Sequence, residues 1–445
     1  MTLKAVCPLC GREYEGIIPP KCECGGRPRF TYDYSRVNPR AWKRRKPGVW
    51  RYKELLPPAK KIISLNEGGT PLFKAKLGEE LSLNVHIKDE TRNPTGSFRD
   101  RLASVAVSYG LTYAENGFII ASDGNGGASL AAYAARAEKE AFVVIPHKVD
   151  RGKLIQMIAF GARIIRYGDS VDDAIPYASE LSRLNGLYDV TPANNAVGIE
   201  GQKTLAFELW EELNPTHVLV PTGSGTLLYS LYKGFKELQT LGLVEEVPEL
   251  IAVQTEKCSP IAAVLEGGKS KREFTKALAL YVREPPFLEE AVEAVRESGG
   301  KAVVVREEEL DVGEKKLARE GVFGEYASAV VVPALMKLSE GGYFERDDRI
   351  VLLVTGSGLK SFQEERERSM ISGTKLEILR ILGEGEAYGY EIWERLEKPM
   401  KYQAVYQHIR ELESLGLIEE SRRKGRRIYY RLSPKGRRIL ENLEG

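Results

Sequence analysis

The chain has 445 residues, 42% of them hydrophobic, and a formal net charge of +2. That length exceeds one ordinary domain and fits roughly three, while the near-neutral balance excludes a chain-wide basic attraction, so any nucleic-acid surface must be local. No apolar run approaches the ~20 residues of a membrane span, and the start Met-Thr-Leu-Lys-Ala-Val-Cys lacks a secretory pattern, so a soluble, cytoplasmic protein that does not engage a membrane is expected.

Four of the five cysteines fall within the first 24 positions, as Cys7-Pro-Leu-Cys10 and Cys22-Glu-Cys24. Such crowding points to a metal site rather than a disulfide framework. Gly11 and the pair Gly25-Gly26 follow the two knuckles and let backbone amides turn towards sulfur. Cys7, Cys10, Cys22 and Cys24 are therefore expected to hold a closed, structural zinc in a ribbon of residues 1–30. Residues 31–60 carry Trp42, Trp50 and Tyr52 among many Arg and Lys residues. They read as a connector docked on a larger domain; contact with nucleic acid is the weaker reading, because nothing places these groups on one face.

From Lys61 the pattern becomes short apolar runs at 84–88, 117–121, 141–145, 162–166, 217–221, 250–254, 302–305 and 349–354, with helix-period stretches such as 129–138 and 205–213 between them. Buried strands alternating with helices predict an α/β domain with mostly parallel sheets over residues 61–366. Two of its loops leave a strand and open a helix, where free backbone amides favour anions. One is Ser122-Asp123-Gly124-Asn125; the other, Pro221-Thr-Gly-Ser-Gly-Thr226, adds hydroxyls to a nest suited to phosphate.

Asn93-Pro94-Thr95-Gly96-Ser97-Phe98-Arg99-Asp100-Arg101 resembles the Asn-Pro-Thr-Gly-Ser-Phe-Lys-Asp-Arg signature of threonine synthase and its relatives, the fold type II pyridoxal-phosphate enzymes. Asn66-Glu-Gly-Gly-Thr-Pro-Leu72 and Thr355-Gly-Ser-Gly-Leu-Lys360 are similar to further segments of that family, in the same order. The resemblance implies two open, mostly parallel sheets covered by helices. It implies cofactor contacts at Asn125, at the phosphate loop Gly223, Ser224, Gly225 and Thr226, and at Thr355. It also implies a substrate or ligand region around Thr95, Ser97, Arg99, Ser122 and Asp123. In the family the lysine after Ser-Phe forms the Schiff base with the cofactor, and here that position is Arg99. A guanidinium stays protonated and offers no comparable nucleophile, so no catalytic residue is expected. Asp123 would repel a substrate carboxylate, and Gly198 stands where the family segment has arginine. Cys258 reads as a packed thiol rather than a nucleophile.

Residues 367–445 form a separate pattern. Helices are expected over 374–382, from 388, and over 403–415, with strands at 418–420 and 428–432 joined by the basic stretch 421–427, and Ser433-Pro434 capping a last helix. This predicts a winged helix-turn-helix. Tyr388-Gly-Tyr-Glu-Ile392 and Leu412-Glu-Ser-Leu-Gly-Leu-Ile418 resemble PadR-type transcriptional regulators. The resemblance implies that Tyr402, Gln403, Gln407 and Arg410, with Lys401 and Tyr406 beside them, face the major groove. Arg422, Arg423, Lys424, Arg426 and Arg427 would meet phosphate or minor groove. A winged helix used for protein contacts is the alternative.

Together these readings imply a homodimeric regulator on double-stranded DNA, with a non-catalytic domain sensing pyridoxal phosphate, a phosphorylated metabolite or an amino acid. An active pyridoxal-phosphate lyase with Lys88 or Lys203 replacing the missing lysine is the alternative, and a scaffold for a partner enzyme is a third reading.

Overall fold

A computed structural model describes residues 4–16, 18–122, 124–361, 373–396, 402–425 and 427–444. The chain parts into two compact units, 1–361 and 362–445. The boundary expected at 366/367 lies outside the described residues.

In the first unit the ribbon is a small antiparallel sheet in which Lys4–Val6 lies between Glu13–Glu15 and Arg29–Thr31. It packs on the α/β core: Arg27 Nε donates to Glu290 Oε1 at 2.7 Å, and its guanidinium lies 4.0 Å from the centre of the Phe287 ring. The connector docks as expected. Trp42 is fully buried, stacked on Phe207 with ring centres 5.6 Å apart and edge-on to Tyr52.

The core has two sheets. One is six-stranded, in the order Ala302–Val305, Glu249–Thr255, His217–Pro221, Arg349–Val354, Asn84–Asp89, Leu72–Lys74, parallel except for its last pair. The other is a parallel four-stranded sheet of Arg163–Arg166, Ala141–Ile145, Phe118–Ala121 and Tyr188–Asp189. The strands His217–Pro221 and Phe118–Ala121 are buried from end to end because helices cover both faces, which is why they read as unbroken apolar runs. The additional strands Leu72–Lys74 and Tyr188–Asp189 have three and two residues, too short to leave a run.

One buried charge joins the pieces around the Asn93–Arg101 segment. Arg101 is fully buried; its Nε and Nη2 donate to Glu90 at 2.7 Å each, and its Nη1 and Nη2 to Glu208 at 2.7 and 2.8 Å. Burial alone would raise the Glu208 carboxyl, but Arg101 and then Lys88 hold it down to about 2. Removing the guanidinium leaves two buried carboxylates facing each other. We therefore expect Arg101→Met to lose about 3–5 kcal/mol of stability, read as a shift of the urea midpoint.

The second unit has helices Thr374–Glu384, Gly389–Arg395 and Tyr402–Ser414, a three-stranded sheet, and a last helix Pro434–Glu444. Gly436 N donates to Ser433 Oγ at 3.0 Å, the cap read from the sequence. The wing differs from the expectation. Its strands run Ile418–Lys424 and Arg427–Leu432, so Ser421 to Lys424 are strand, and the chain reverses at Gly425 with φ 59°. The stretch is so polar that it reads as loop, yet it pairs Arg422 with Tyr429 and Arg423 with Ile428. An exposed ribbon tolerates charge along its length.

Candidate functional site

The phosphate loop leaves the strand His217–Pro221 and opens the helix Thr226–Thr240. Side chains cannot crowd it: a Cβ on Gly223 would lie 2.8 Å from the Ala279 carbonyl oxygen, and one on Gly225 would lie 2.6 Å from that of Phe287. Gly225 sits at φ 81°, a conformation natural to glycine. What the loop offers a ligand is therefore amides and the hydroxyls of Ser224 and Thr226, 3.1 Å apart. Thr355 follows the strand Arg349–Val354, buried beside Ser328 Oγ at 3.1 Å.

Arg99 begins the helix Arg99–Gly110, and the chain just before it is pinned to the end of that strand by Phe98 N donating to the Thr355 carbonyl at 3.0 Å. Its guanidinium stands 4.8 Å from the Phe98 ring centre, and Nη1 approaches Thr226 Oγ1 at 3.5 Å. It lines two adjoining chambers. The first contains the phosphate loop, Asn125, Glu325 and Thr355. The second has apolar walls from Ile120, Val171, Ile175, Pro192 and Val282, with the hydroxyls of Ser122 and Thr191. Arg99, Ser224 and Thr226 belong to both.

Ser122 Oγ also closes its own turn, accepting from Gly124 N at 3.1 Å and Gly127 N at 2.9 Å. Asn125 opens the helix Asn125–Arg136; its Nδ2 donates to Glu325 Oε1 at 2.7 Å, and its Oδ1 is buried with no hydrogen-bond partner. Ser97 Oγ is likewise buried and unpartnered. Thr95 is not brought to either chamber; it is committed to Asp100, whose carboxylate accepts from Thr95 N and Oγ1 at 2.6 Å each and from Ser129 Oγ at 2.7 Å. Burial pushes the Asp100 carboxyl above its ordinary range. Asp123 lies outside the described residues. Gly198 is packed so tightly that a Cβ there would fall 2.5 Å from Leu102 Cγ, leaving no room for an arginine.

The two lysines expected as replacement amines are elsewhere. Lys88 Nζ is buried between the Thr70 carbonyl at 2.8 Å and Glu212 at 2.8 Å, and Lys203 Nζ between Glu200 at 2.6 Å and Glu237 at 2.8 Å. Two lysines passed over in the sequence stand nearer the cleft wall. Lys153 Nζ bridges Asp150 at 2.8 Å and Glu325 at 2.9 Å. Lys360 is buried, and among the described residues its Nζ has no hydrogen-bond partner. Burial pulls its pKa from 10.5 down to about 8, against the opposing pull of Asp100 and Glu325 and with the help of Lys153. Between those two values the folded protein binds fewer protons than the unfolded chain, so wild-type stability rises with pH across that window. Wild type should then gain about 3 kcal/mol of stability relative to Lys360→Met between pH 8 and pH 10.5, measured by urea unfolding of both proteins at the two pH values. Cys258 is a packed thiol as expected, its Sγ 3.3 Å from the Val282 carbonyl and its pKa pushed by burial up to about 11.

The ligand atoms of Cys7, Cys10, Cys22 and Cys24 lie within 4.8 Å of one another, close enough for one metal ion. A Cβ on Gly26 would meet Cys7 Sγ at 2.8 Å, so glycine is what lets the second knuckle close.

In the winged unit, Val405, Ile409 and Leu412 bury one face of the helix Tyr402–Ser414, leaving Tyr402, Gln403, Gln407 and Arg410 exposed on another. Gln407 Nε2 donates to Glu411 at 3.2 Å. Tyr406 is half-buried, its ring filling the space that a Cβ on Gly389 would need. The wing cations are unequal. Arg422 pairs with Glu386 at 2.6 Å and covers the Tyr429 ring, and Arg423 pairs with Glu420 at 2.5 Å. Lys424 and Arg427 have no carboxylate partner among the described residues, and Arg427 lies 4.8 Å from the Tyr388 ring centre. Lys401 and Arg426 lie outside those residues.

Residues 63–356 match the family described as "Pyridoxal-phosphate dependent enzyme". The threonine synthase of Methanocaldococcus jannaschii is 39% identical over 373 residues, covering 80% of this chain and 92% of that protein. The chain belongs to the pyridoxal-phosphate-dependent enzyme family. The Mycobacterium tuberculosis threonine synthase is 36% identical over 303 residues, 67% of this chain and 83% of its own length. Among solved structures, maize serine racemase superimposes with a TM-score of 0.58 at 20% identity, over 68% of this chain and 91% of its own, a likeness of fold. Residues 378–442 match the "Transcriptional regulator PadR-like family". No helix among the described residues is long and apolar enough to cross a membrane.

For a member of this family the implied cofactor is pyridoxal phosphate. The nest at Gly223–Thr226 fits a phosphate, and the unpartnered Asn125 Oδ1 in the same chamber fits a polar ring substituent. The Arg99 guanidinium, which lines the same chamber, is a group suited to an anion. The sequence singled out the nest, Asn125 and Thr355; it gave no site role to Glu325, noted only within the segment Glu325–Ser328, nor to Thr191, and both reach the chambers only through folding.

Proposed function

We propose that this chain is a DNA-binding transcriptional regulator whose pyridoxal-phosphate-enzyme domain binds a small ligand without transforming it. Arg99 carries the reading, because it occupies the place in the signature where the family's cofactor-bonding lysine is expected. The ligand would set its phosphate on Gly223, Ser224, Gly225 and Thr226, with the Arg99 guanidinium adding a charge-assisted contact. Pyridoxal phosphate held non-covalently, a phosphorylated metabolite or an amino acid all meet that description. Thr355, Asn125, Ser97 and Ser122 would orient the rest of the molecule. Bound pyridoxal phosphate would supply an electron-withdrawing ring; the chain would hold and orient it.

The output would be at DNA. Tyr402, Gln403, Gln407 and Arg410 would read the major groove, and the wing would hold the backbone. A homodimer would place two such helices on one duplex, and ligand binding would shift their spacing. The four ribbon cysteines would hold a structural zinc.

An active lyase with an accessory winged helix is the competing reading, and the buried, unpartnered amine of Lys360 is the observation in its favour. Borohydride reduction in the presence of pyridoxal phosphate, followed by peptide mass mapping, separates the two. No stoichiometric pyridoxyl label on any lysine is expected; a label on Lys360 or another lysine of the first unit would overturn the choice.

A further inference from the structure

Resting on that regulatory reading, we infer that Glu325 and Ser361 form the relay by which occupancy of the cleft is felt at the start of the connection to the DNA-reading unit. Glu325 is buried and lines the phosphate-loop chamber. Its two oxygens look in different directions. Oε1 accepts from Asn125 Nδ2 at 2.7 Å, on the cleft side. Oε2 accepts from Lys153 Nζ at 2.9 Å and from Ser361 Oγ at 3.3 Å. Ser361 is the last residue of the first compact unit.

The chain from Thr355 to Ser361 is tied to both walls of the cleft. Ser357 N donates to the Gly96 carbonyl at 2.9 Å, on the side that carries Arg99. Glu325 N donates to the Gly356 carbonyl at 3.0 Å, and Gly358 N to the Phe323 carbonyl at 2.8 Å, on the side that carries Glu325. Gly152 lies so close to Lys360 that a Cβ there would meet its carbonyl oxygen at 2.6 Å. A displacement at the chambers therefore has a stiff path to Ser361.

The switching element is one hydroxyl proton. Ser361 Oγ stands 3.2 Å from Asp150 Oδ2 and 3.3 Å from Glu325 Oε2. A serine has a single O–H to donate, and its two carboxylate acceptors are almost equally distant, so a small change in either one decides the pairing. Lys153 Nζ holds both carboxylates at 2.8 and 2.9 Å and keeps them in place whichever is chosen. A ligand group that accepts from Asn125 Nδ2, beside the one that donates to its Oδ1, draws that amide from Glu325 and leaves the carboxylate one donor short. Ser361, the last residue of the first unit, then turns from Asp150 to Glu325. Ser361 is thus a positioning residue and touches no ligand.

The test uses the full chain and duplex DNA from upstream of its own coding sequence, with pyridoxal phosphate as the probe, titrated with and without it. Wild type is expected to change its DNA Kd by about five-fold or more, the usual lower range of coupling. Ser361→Ala should bind probe and DNA separately as wild type does, yet show a ratio within two-fold of one, and Ser361→Thr, which restores the hydroxyl, should restore the change. In parallel, the probe should slow hydrogen exchange of the 355–361 amides in wild type and not in Ser361→Ala. A Ser361→Ala protein that keeps the wild-type ratio overturns the relay alone. A wild type that binds DNA but ignores the probe overturns the relay together with the regulatory reading.

Discussion

Arg99→Lys should convert a chain that takes no covalent pyridoxyl label into one that is labelled stoichiometrically at residue 99 after borohydride reduction. The surrounding fit makes this an all-or-none effect. The phosphate loop, Thr355 and Asn125 line the same chamber as residue 99, and Phe98 is tied to the Thr355 carbonyl at 3.0 Å, so a lysine at this position starts from a fixed backbone. A lysine amine can lose its proton and attack an aldehyde, and a guanidinium does not. Failure of Arg99→Lys to take the label, with its fold intact by circular dichroism, would mean that the cleft no longer accepts the cofactor at all.

Removing Lys424 and Arg427 together should weaken duplex binding about 10–100-fold at low salt and lower the magnitude of the slope of log K against log salt by about 0.9 for each phosphate left without its cation. The wing offers five cations in the sequence, but their surroundings sort them. Arg422 and Arg423 already lie against Glu386 and Glu420, so binding phosphate requires them to give up a carboxylate first. Among the described residues, Lys424 and Arg427 have no carboxylate to give up. The double change Arg422→Ala with Arg423→Ala should accordingly cost less than the change at 424 and 427. Equal losses for both pairs would show that the internal pairs open freely. On the helix, Gln407→Ala should lose about 1–3 kcal/mol on the preferred sequence if its amide reads an adenine, with little change on unrelated DNA.

Much of this was legible because the features are local. Cys7-Pro-Leu-Cys10 and Cys22-Glu-Cys24 announce a metal cluster through spacing alone, and the chain brings those four sulfurs together. All eight apolar runs became strands, and those at the sheet centres are apolar because covered parallel strands have no solvent-facing side. The glycines at 223 and 225 marked the place where backbone must approach other backbone, and the carbonyls of Ala279 and Phe287 are what they approach. Arg99 was visible as one residue in an otherwise matching signature.

What escaped was every choice made between distant segments. Thr95 looked ligand-facing, yet Asp100 and Ser129 claim its hydroxyl once the helix Arg99–Gly110 forms. Lys88 and Lys203 were plausible amines until the fold set carboxylates from other helices around them. Lys153, Glu325 and Ser361 are separated by up to 208 positions in the sequence and meet only through the sheet order. The strand character of Ser421–Lys424 was hidden by its charge, because a solvent-facing hairpin leaves no apolar alternation to read.

On the proposed reading, binding is kept in the first unit while the output lies at DNA. Fluorescence anisotropy of the full chain on duplex DNA from upstream of its own coding sequence, measured across a salt series with and without pyridoxal phosphate, tests it most directly. On that reading, tight binding at low salt, a steep loss of affinity as salt rises, and a Kd that changes when the cleft ligand is added are expected. No affinity for duplex DNA even at low salt would contradict it.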